Sequence, residues 1–170
     1  NGSPLKKDYI LNVVEIAKKN LLKVHVDGAR IFNASAALGT SPSDLNVGID
    51  SVSFCLSKGL SAPIGSLLCG SKKFIKKARR IRKALGGGMR QGGIVAAAGK
   101  YALEQMVSRI SEDHQLAKKL SEGLANINSI KLDPNDIKTN IVYFDFASKQ
   151  NSDQKLLDTM REKGILFLGT

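Results

Sequence analysis

Short runs rich in β-branched residues, each closed by small or polar residues and separated by helix-forming sequence, constrain this chain more than any other feature. Leu22-Lys23-Val24-His25-Val26 is the first such run, and the chain must turn after it at Asp27-Gly28-Ala29-Arg30. Ser51-Val52-Ser53-Phe54-Cys55-Leu56 is the second, ending at Ser57-Lys58-Gly59, and Ile64 to Cys69 is a third, ending at Gly70-Ser71. Helices are expected between and around them. Leu5 to Asn20 places Tyr9, Val13, Ile16 and Ala17 on one face, with Asn20 as a stop. Ser41-Pro42-Ser43-Asp44 supplies a capping residue, proline at the first helical position and an acid three after the cap, with Gly48 ending a short helix. This alternation predicts an α/β fold with a mostly parallel sheet flanked by helices.

The second half departs from that rhythm. Gly86-Gly87-Gly88-Met89-Arg90-Gln91-Gly92-Gly93 is too rich in glycine to be regular, and Ile94 to about Asn126 reads as one long helical stretch. Thr139 to Phe146 is expected to be another strand and Gln154 to Lys163 another helix, followed by an apolar segment at 165–168. Residues 1–127 are therefore expected to form part of a large domain including its long connecting helix. Residues 128–170 are expected to start a smaller α+β domain. The chain opens inside a loop and stops in what reads as a strand.

The 26 Lys and Arg against 15 Asp and Glu give a net charge of +11 over 170 residues, which alone would point to nucleic acid. Eight of those bases lie between Lys72 and Lys83, in KKFIKKARRIRK, leaving 18 bases against 15 acids elsewhere, a net of +3. The charge is one helix's property. Phe74, Ala78 and Ile81 fall on one face with Ile75 beside them, so the helix is expected to bury that stripe and turn its bases outward. With no Trp, and Phe74 claimed by the core, the segment lacks the aromatics that stack on bases, so nucleic acid is not the expected partner. No apolar run approaches the roughly 20 residues that span a bilayer, and no membrane partner is expected. Two cysteines and no leader-like amino end fit a reducing, cytoplasmic setting.

Ligands of open α/β sheets bind beyond the carboxyl ends of the strands, which singles out Asp27 and Lys58. No other formal charge lies within five residues of Lys58. Desolvation of such a lysine would lower its pKa and free the amine for Schiff-base chemistry. For either residue alone the plainer setting is the default: a solvated lysine at a strand end, and an aspartate capping the next helix. His25 precedes Asp27 by two positions and shares its side of a regular strand; a satisfied, half-buried histidine is its default. Gly65 to Lys72 imitates a phosphate-binding loop but has Ser-Lys where Lys-Ser/Thr is required. Cys55 and Cys69 read as core thiols, and no metal site is expected.

Three motifs go further together than any one of them. His25-Val-Asp-Gly-Ala-Arg-Ile-Phe-Asn-Ala34, Ser53-Phe-Cys-Leu-Ser-Lys-Gly-Leu-Ser-Ala-Pro-Ile-Gly-Ser66 and Ala84-Leu-Gly-Gly-Gly-Met-Arg-Gln-Gly-Gly93 occur in order. The sequence resembles the low-specificity L-threonine aldolases, most closely between Pro4 and Ala102. These are pyridoxal 5'-phosphate lyases of fold type I, the aspartate-aminotransferase type. The resemblance implies part of that fold's large domain and the start of its small one. It implies retro-aldol cleavage of L-threonine or L-allo-threonine to glycine and acetaldehyde, by a cytoplasmic homotetramer acting on a small amino acid. By the same resemblance Lys58 matches the lysine that holds the cofactor as a Schiff base, and Asp27 the aspartate that pairs with the pyridine nitrogen. Arg30 matches an arginine beside the cofactor that is expected to hold the substrate carboxylate, while Lys83 and Arg90 match basic residues close to the family's active site, as further cofactor contacts or, equally, as surface and loop-packing residues.

The enzymes it resembles are about twice this long. Their phosphate loop and the histidine stacked on the ring lie upstream of the strand bearing Asp27, so the chain reads as an internal fragment, expected to be inactive alone. Two other functions stay open: another fold-type-I lyase or transferase, since Asp27 and Lys58 serve the cofactor and do not choose the reaction, and a basic anion- or nucleic-acid-binding module built on the Lys72 to Lys83 helix.

Overall fold

A computed structural model describes residues 2–147 and 153–169. The amino-terminal helix α1 (Lys7–Lys19) leads into strand β1 (His25–Asp27), helices α2 (Ile31–Leu38) and α3 (Pro42–Leu45), and strand β2 (Ser51–Cys55). Strand β3 (Ser66–Gly70) and the basic helix α4 (Lys72–Ala84) follow. The sheet order is β1-β2-β3. β1 and β2 are parallel with Asp27 opposite Ser53, because α2 and α3 provide the crossover that parallel strands require.

β3 pairs with β2 in the antiparallel sense, Cys55 opposite Ser66 and Ser51 opposite Gly70. The sheet is therefore mixed where a mostly parallel one is expected from the sequence. The reason lies in the connection: residues 56–65 contain no helix, and a short irregular loop can only fold the chain back on itself. Gly65, at φ +120°, makes the last bend of that return.

Capping chemistry holds as read. Ser41 Oγ accepts the Asp44 N–H at 3.1 Å and Pro42 occupies the first helical position. Two amphipathic faces differ from expectation. In α1 the buried residues are Val14 and Ala17, while Tyr9, Val13 and Ile16 are exposed, because the helix meets its neighbours along the strip facing α3 and the turn at Gly48. In α4 no residue is buried: Phe74 is 40% and Ile81 49% exposed, and Ile75 and Ala78 are half-buried. Its main packing partner among the described elements is β3, itself an exposed edge strand, so the apolar stripe is only partly covered.

The long helical stretch is continuous but not uniform. Helix α5 (Gly93–Tyr101) passes into a π-helical turn at Ala102–Met106 and a 3-10 turn at Val107–Arg109 before α6 (Ile110–Ala125). Beyond it, β4 (Ile130–Lys131) pairs with β5 (Asp145–Phe146), so the strand expected over Thr139 to Phe146 contracts to its last two residues. Thr139 is instead drawn inward, its Oγ1 donating to the Gly2 carbonyl at 2.7 Å. Helix α7 (Asp153–Glu162) follows, and residues 165–169 form no strand, contrary to expectation. Among the described residues no helix is long and apolar enough to cross a membrane.

The core gathers around the loop after β2. Leu56, Leu60, Ala62, Ala102 and Ile110 form one buried cluster, with Phe32, Phe54 and Leu103 packed against it. Phe32 and Phe54 meet edge to face at 5.3 Å. The π-helical turn thus supplies Ala102 to the same cluster as the loop. In the whole protein Leu60→Ala, at a residue 2% exposed, is expected to cost about 2–5 kcal/mol by denaturant unfolding. Lys19→Ala, which removes only an exposed pair with Glu15, should change stability by no more than about 0.5 kcal/mol.

Candidate active site

β1 ends at Asp27, but its alignment with β2 continues. The Gly28 N–H donates to the Ser53 carbonyl at 2.8 Å, and the Cys55 N–H donates to the Ala29 carbonyl at 3.3 Å. Gly28 is buried in this seam, where an added Cβ would lie 3.1 Å from the Ser53 carbonyl and 3.2 Å from both Ile31 Cβ and Val52 Cγ2. A side chain there would require the Ser53 carbonyl, Ile31 or Val52 to give by a few tenths of an ångström. The carboxyl ends of the two strands consequently stand side by side, Asp27 at one and the turn bearing Lys58 beyond the other.

Asp27 is exposed, and its Oδ1 accepts the Ala29 N–H at 3.1 Å. The carboxylate therefore braces the turn into α2, close to the plain capping role, although the residue flanking the helix start is Arg30. Among the described residues Oδ2 accepts no hydrogen bond. His25 faces the same side of β1 and is exposed where a half-buried residue was expected, with its Nδ1 2.9 Å from the Oγ of buried Ser51.

Lys58 sits in a short turn closed by the Ser61 N–H donating to the Lys58 carbonyl at 2.8 Å. Leu56 N–H bonds to the Gly65 carbonyl and Ala62 N–H to the Leu56 carbonyl, and the buried side chains of Leu56, Leu60 and Ala62 pin the turn on both sides. Lys58 itself is exposed, the plainer of the two settings weighed for it: a solvated lysine at a strand end and not a desolvated one. A well-anchored backbone carrying an accessible amine is what remains.

Arg30 is also exposed and lines a cleft of about 570 Å³ with Asn140, Tyr143, Phe144, Phe167 and residues of α7. Lys83 lies along the glycine turn, its Cδ only 2.6 Å from where a Cβ on Gly88 would stand. Arg90 is exposed in the turn before α5. Neither forms a hydrogen bond or ion pair with Asp27 among the described residues. The basic face of α4 lines a separate groove through Lys73, Lys76, Lys77 and Arg80.

The sequence reading missed Asn33. It is 3% exposed in the first turn of α2, and its Nδ2 lies 3.2 Å from Asn140 Oδ1 and 3.2 Å from His114 Nε2. An amide nitrogen only donates, so Nε2 of His114 must be unprotonated to accept. Burial, the larger influence, lowers the His114 pKa below its ordinary 6.5 against an opposing pull from Asp113. The available signal was a lone carboxamide in the otherwise apolar opening of Ile31-Phe32-Asn33-Ala34.

The structure thus places a strand-end aspartate and an anchored, accessible lysine at the carboxyl ends of two paired parallel strands. The comparisons give the class: the sequence model of the beta-eliminating lyases matches residues 1–147, and the chain belongs to that family. It is 51% identical over 168 residues to a protein named probable low-specificity L-threonine aldolase 2 of Arabidopsis thaliana, covering 98% of this chain and 47% of that one. It is 50% identical over 124 residues to the low specificity L-threonine aldolase of Escherichia coli O157:H7, covering 73% of this chain and 37% of that one. The fold matches a crystal structure titled as a putative L-allo-threonine aldolase of Listeria monocytogenes EGD-E, with TM-score 0.82 and 20% identity over 95% of this chain and 45% of that one. The chain spans about half the length of the relatives it matches.

The His114 environment has a consequence for stability. Folded His114 binds a proton less readily than the unfolded chain does, so stability is full above pH 6.5 and falls as pH drops through that value. In thermal melts between pH 7.5 and 5.5, His114→Gln should show a shallower decline than the parent protein. Parallel declines would remove His114 as a source.

Proposed function

We propose that the whole protein is a pyridoxal-phosphate-dependent aldolase that cleaves L-threonine or L-allo-threonine to glycine and acetaldehyde. The observation that supports this most is the parallel pairing of β1 and β2, which brings the carboxyl ends of both strands, with Asp27 and the Lys58 turn, to the same end of the sheet. The residues fit the cofactor: an accessible primary amine suits an aldehyde, and a carboxylate with one free oxygen suits a ring nitrogen that must stay protonated. Pyridoxal phosphate, when bound, supplies an aldehyde that condenses with amines and a protonated ring that accepts the electron pair released at Cα.

Lys58 would hold the cofactor covalently and yield its place to the substrate amine. Asp27 would keep the proton on the ring nitrogen, while its bond from Ala29 N–H fixes its orientation. Arg30, at the mouth of the cleft with Asn140 and Tyr143, would grip the substrate carboxylate through its planar fork. Lys83 and Arg90 would be further contacts to the cofactor. The reading carries the family's homotetrameric assembly, a cytoplasmic location and a division into residues 1–127 of the large domain and 128–170 of the small one.

In the whole protein, Lys58→Ala should abolish the visible absorbance formed with pyridoxal phosphate and nearly all glycine release from threonine. Asp27→Asn should keep the cofactor bound and depress turnover severely, since an amide cannot hold the ring proton. Near-parental rates in either would overturn the assignment. Arg30→Lys should raise KM far more than it lowers kcat, because an ammonium cannot form the paired contact. An unchanged KM would reassign Arg30 to the cleft wall.

A further inference from the structure

Asn33 joins three parts of the chain that the site needs in register. One hydrogen of its amide nitrogen reaches Asn140 Oδ1 in the segment after α6, and the other reaches His114 Nε2 on α6, each at 3.2 Å. Both donors are used, so the amide cannot swing without breaking one of them. Its remaining atom, Oδ1, faces Gly59, where an added Cβ would lie 2.9 Å from Oδ1 and 3.4 Å from Nδ2. Gly59 immediately follows Lys58.

The carboxamide is therefore the surface on which the Lys58 turn rests from the α2 side, while Leu56, Leu60 and Ala62 hold it from the core. Asn140, its other partner, lines the Arg30 cleft. Gly59 has no backbone need for glycine, since its φ lies outside the left-handed region. What requires glycine there is the close approach of Asn33.

We propose that Asn33 is a positioning residue that seats the Lys58 turn through Gly59 and holds it in register with the Arg30 cleft through Asn140. This rests on the reading of Lys58 as the cofactor-binding amine. A side chain here acts on reaction geometry and not only on stability, because displacing the turn by the few tenths of an ångström to 1 Å that a lost or crowded contact produces moves the amine itself.

The test is a double-variant cycle in the whole protein, read by the pyridoxal phosphate concentration that gives half-maximal visible absorbance, with kcat and KM measured beside it. Asn33→Ala should raise that concentration about tenfold or more and lower kcat. Gly59→Ala, which removes no atom of Asn33 but crowds its Oδ1, should do the same in the parent. In the Asn33→Ala background it should add little, because the atom it would crowd is gone. Should Asn33→Ala fail to fold by circular dichroism, Asn33→Ser, which also removes the crowded Oδ1, takes its place in the cycle. Effects that multiply independently, or an Asn33 variant that lowers the melting temperature while leaving the titration and kcat unchanged, would overturn the proposal. If Lys58→Ala still forms the band, the functional reading fails and the proposal with it; if the band is lost but the cycle is additive, only the positioning role fails.

Discussion

Two backbone hydrogen bonds beyond the formal end of β1, Gly28 N–H to Ser53 O and Cys55 N–H to Ala29 O, keep the first two strands aligned past their last paired residues. The catalytic reading depends on this alignment. Without it Asp27 and the Lys58 turn would be two polar groups on separate loops, with nothing to hold their separation constant. Gly28 eases the close approach, since a Cβ there would lie 3.1 Å from the Ser53 carbonyl and 3.2 Å from Val52 Cγ2.

The rigidity of the site comes from what lies beneath it. The turn carrying Lys58 is irregular, yet three of its neighbours belong to the main buried cluster, so the loop is anchored as a core element would be. Burial of Leu56 and Leu60 fixes the backbone from which the exposed Lys58 side chain extends. The π-helical turn at Ala102–Met106 has a comparable function, bringing Ala102 into the cluster while the helix continues toward His114. Stability and site geometry are thus drawn from the same few side chains.

Much of this was legible in the sequence because local chemistry dictated it. The strands at His25 and Ser51 follow from β-branched runs closed by turn residues, and the Ser41 cap from its own spacing. Asp27 and Lys58 were singled out by their place beyond strand ends, and Arg30 by the resemblance that the three ordered motifs carry. The misjudged features depend on partners distant in sequence. Periodicity marked an apolar stripe on α4 but could not say what covers it, and β3 proved too narrow and exposed a partner. The antiparallel return of β3 depended on the absence of a crossover helix, and the short β5 on Thr139 bonding to Gly2 at the other end of the chain. Asn33 escaped notice because its partners lie 81 and 107 positions away.

The central claim is that Lys58, and no other lysine, is the amine placed for the cofactor. It is tested most directly by reducing the whole protein with borohydride in the presence of pyridoxal phosphate and mapping the label by mass spectrometry. This account predicts one label per chain, on the peptide containing Lys58. Label spread over the lysines of α4, or absent from residue 58, would contradict it.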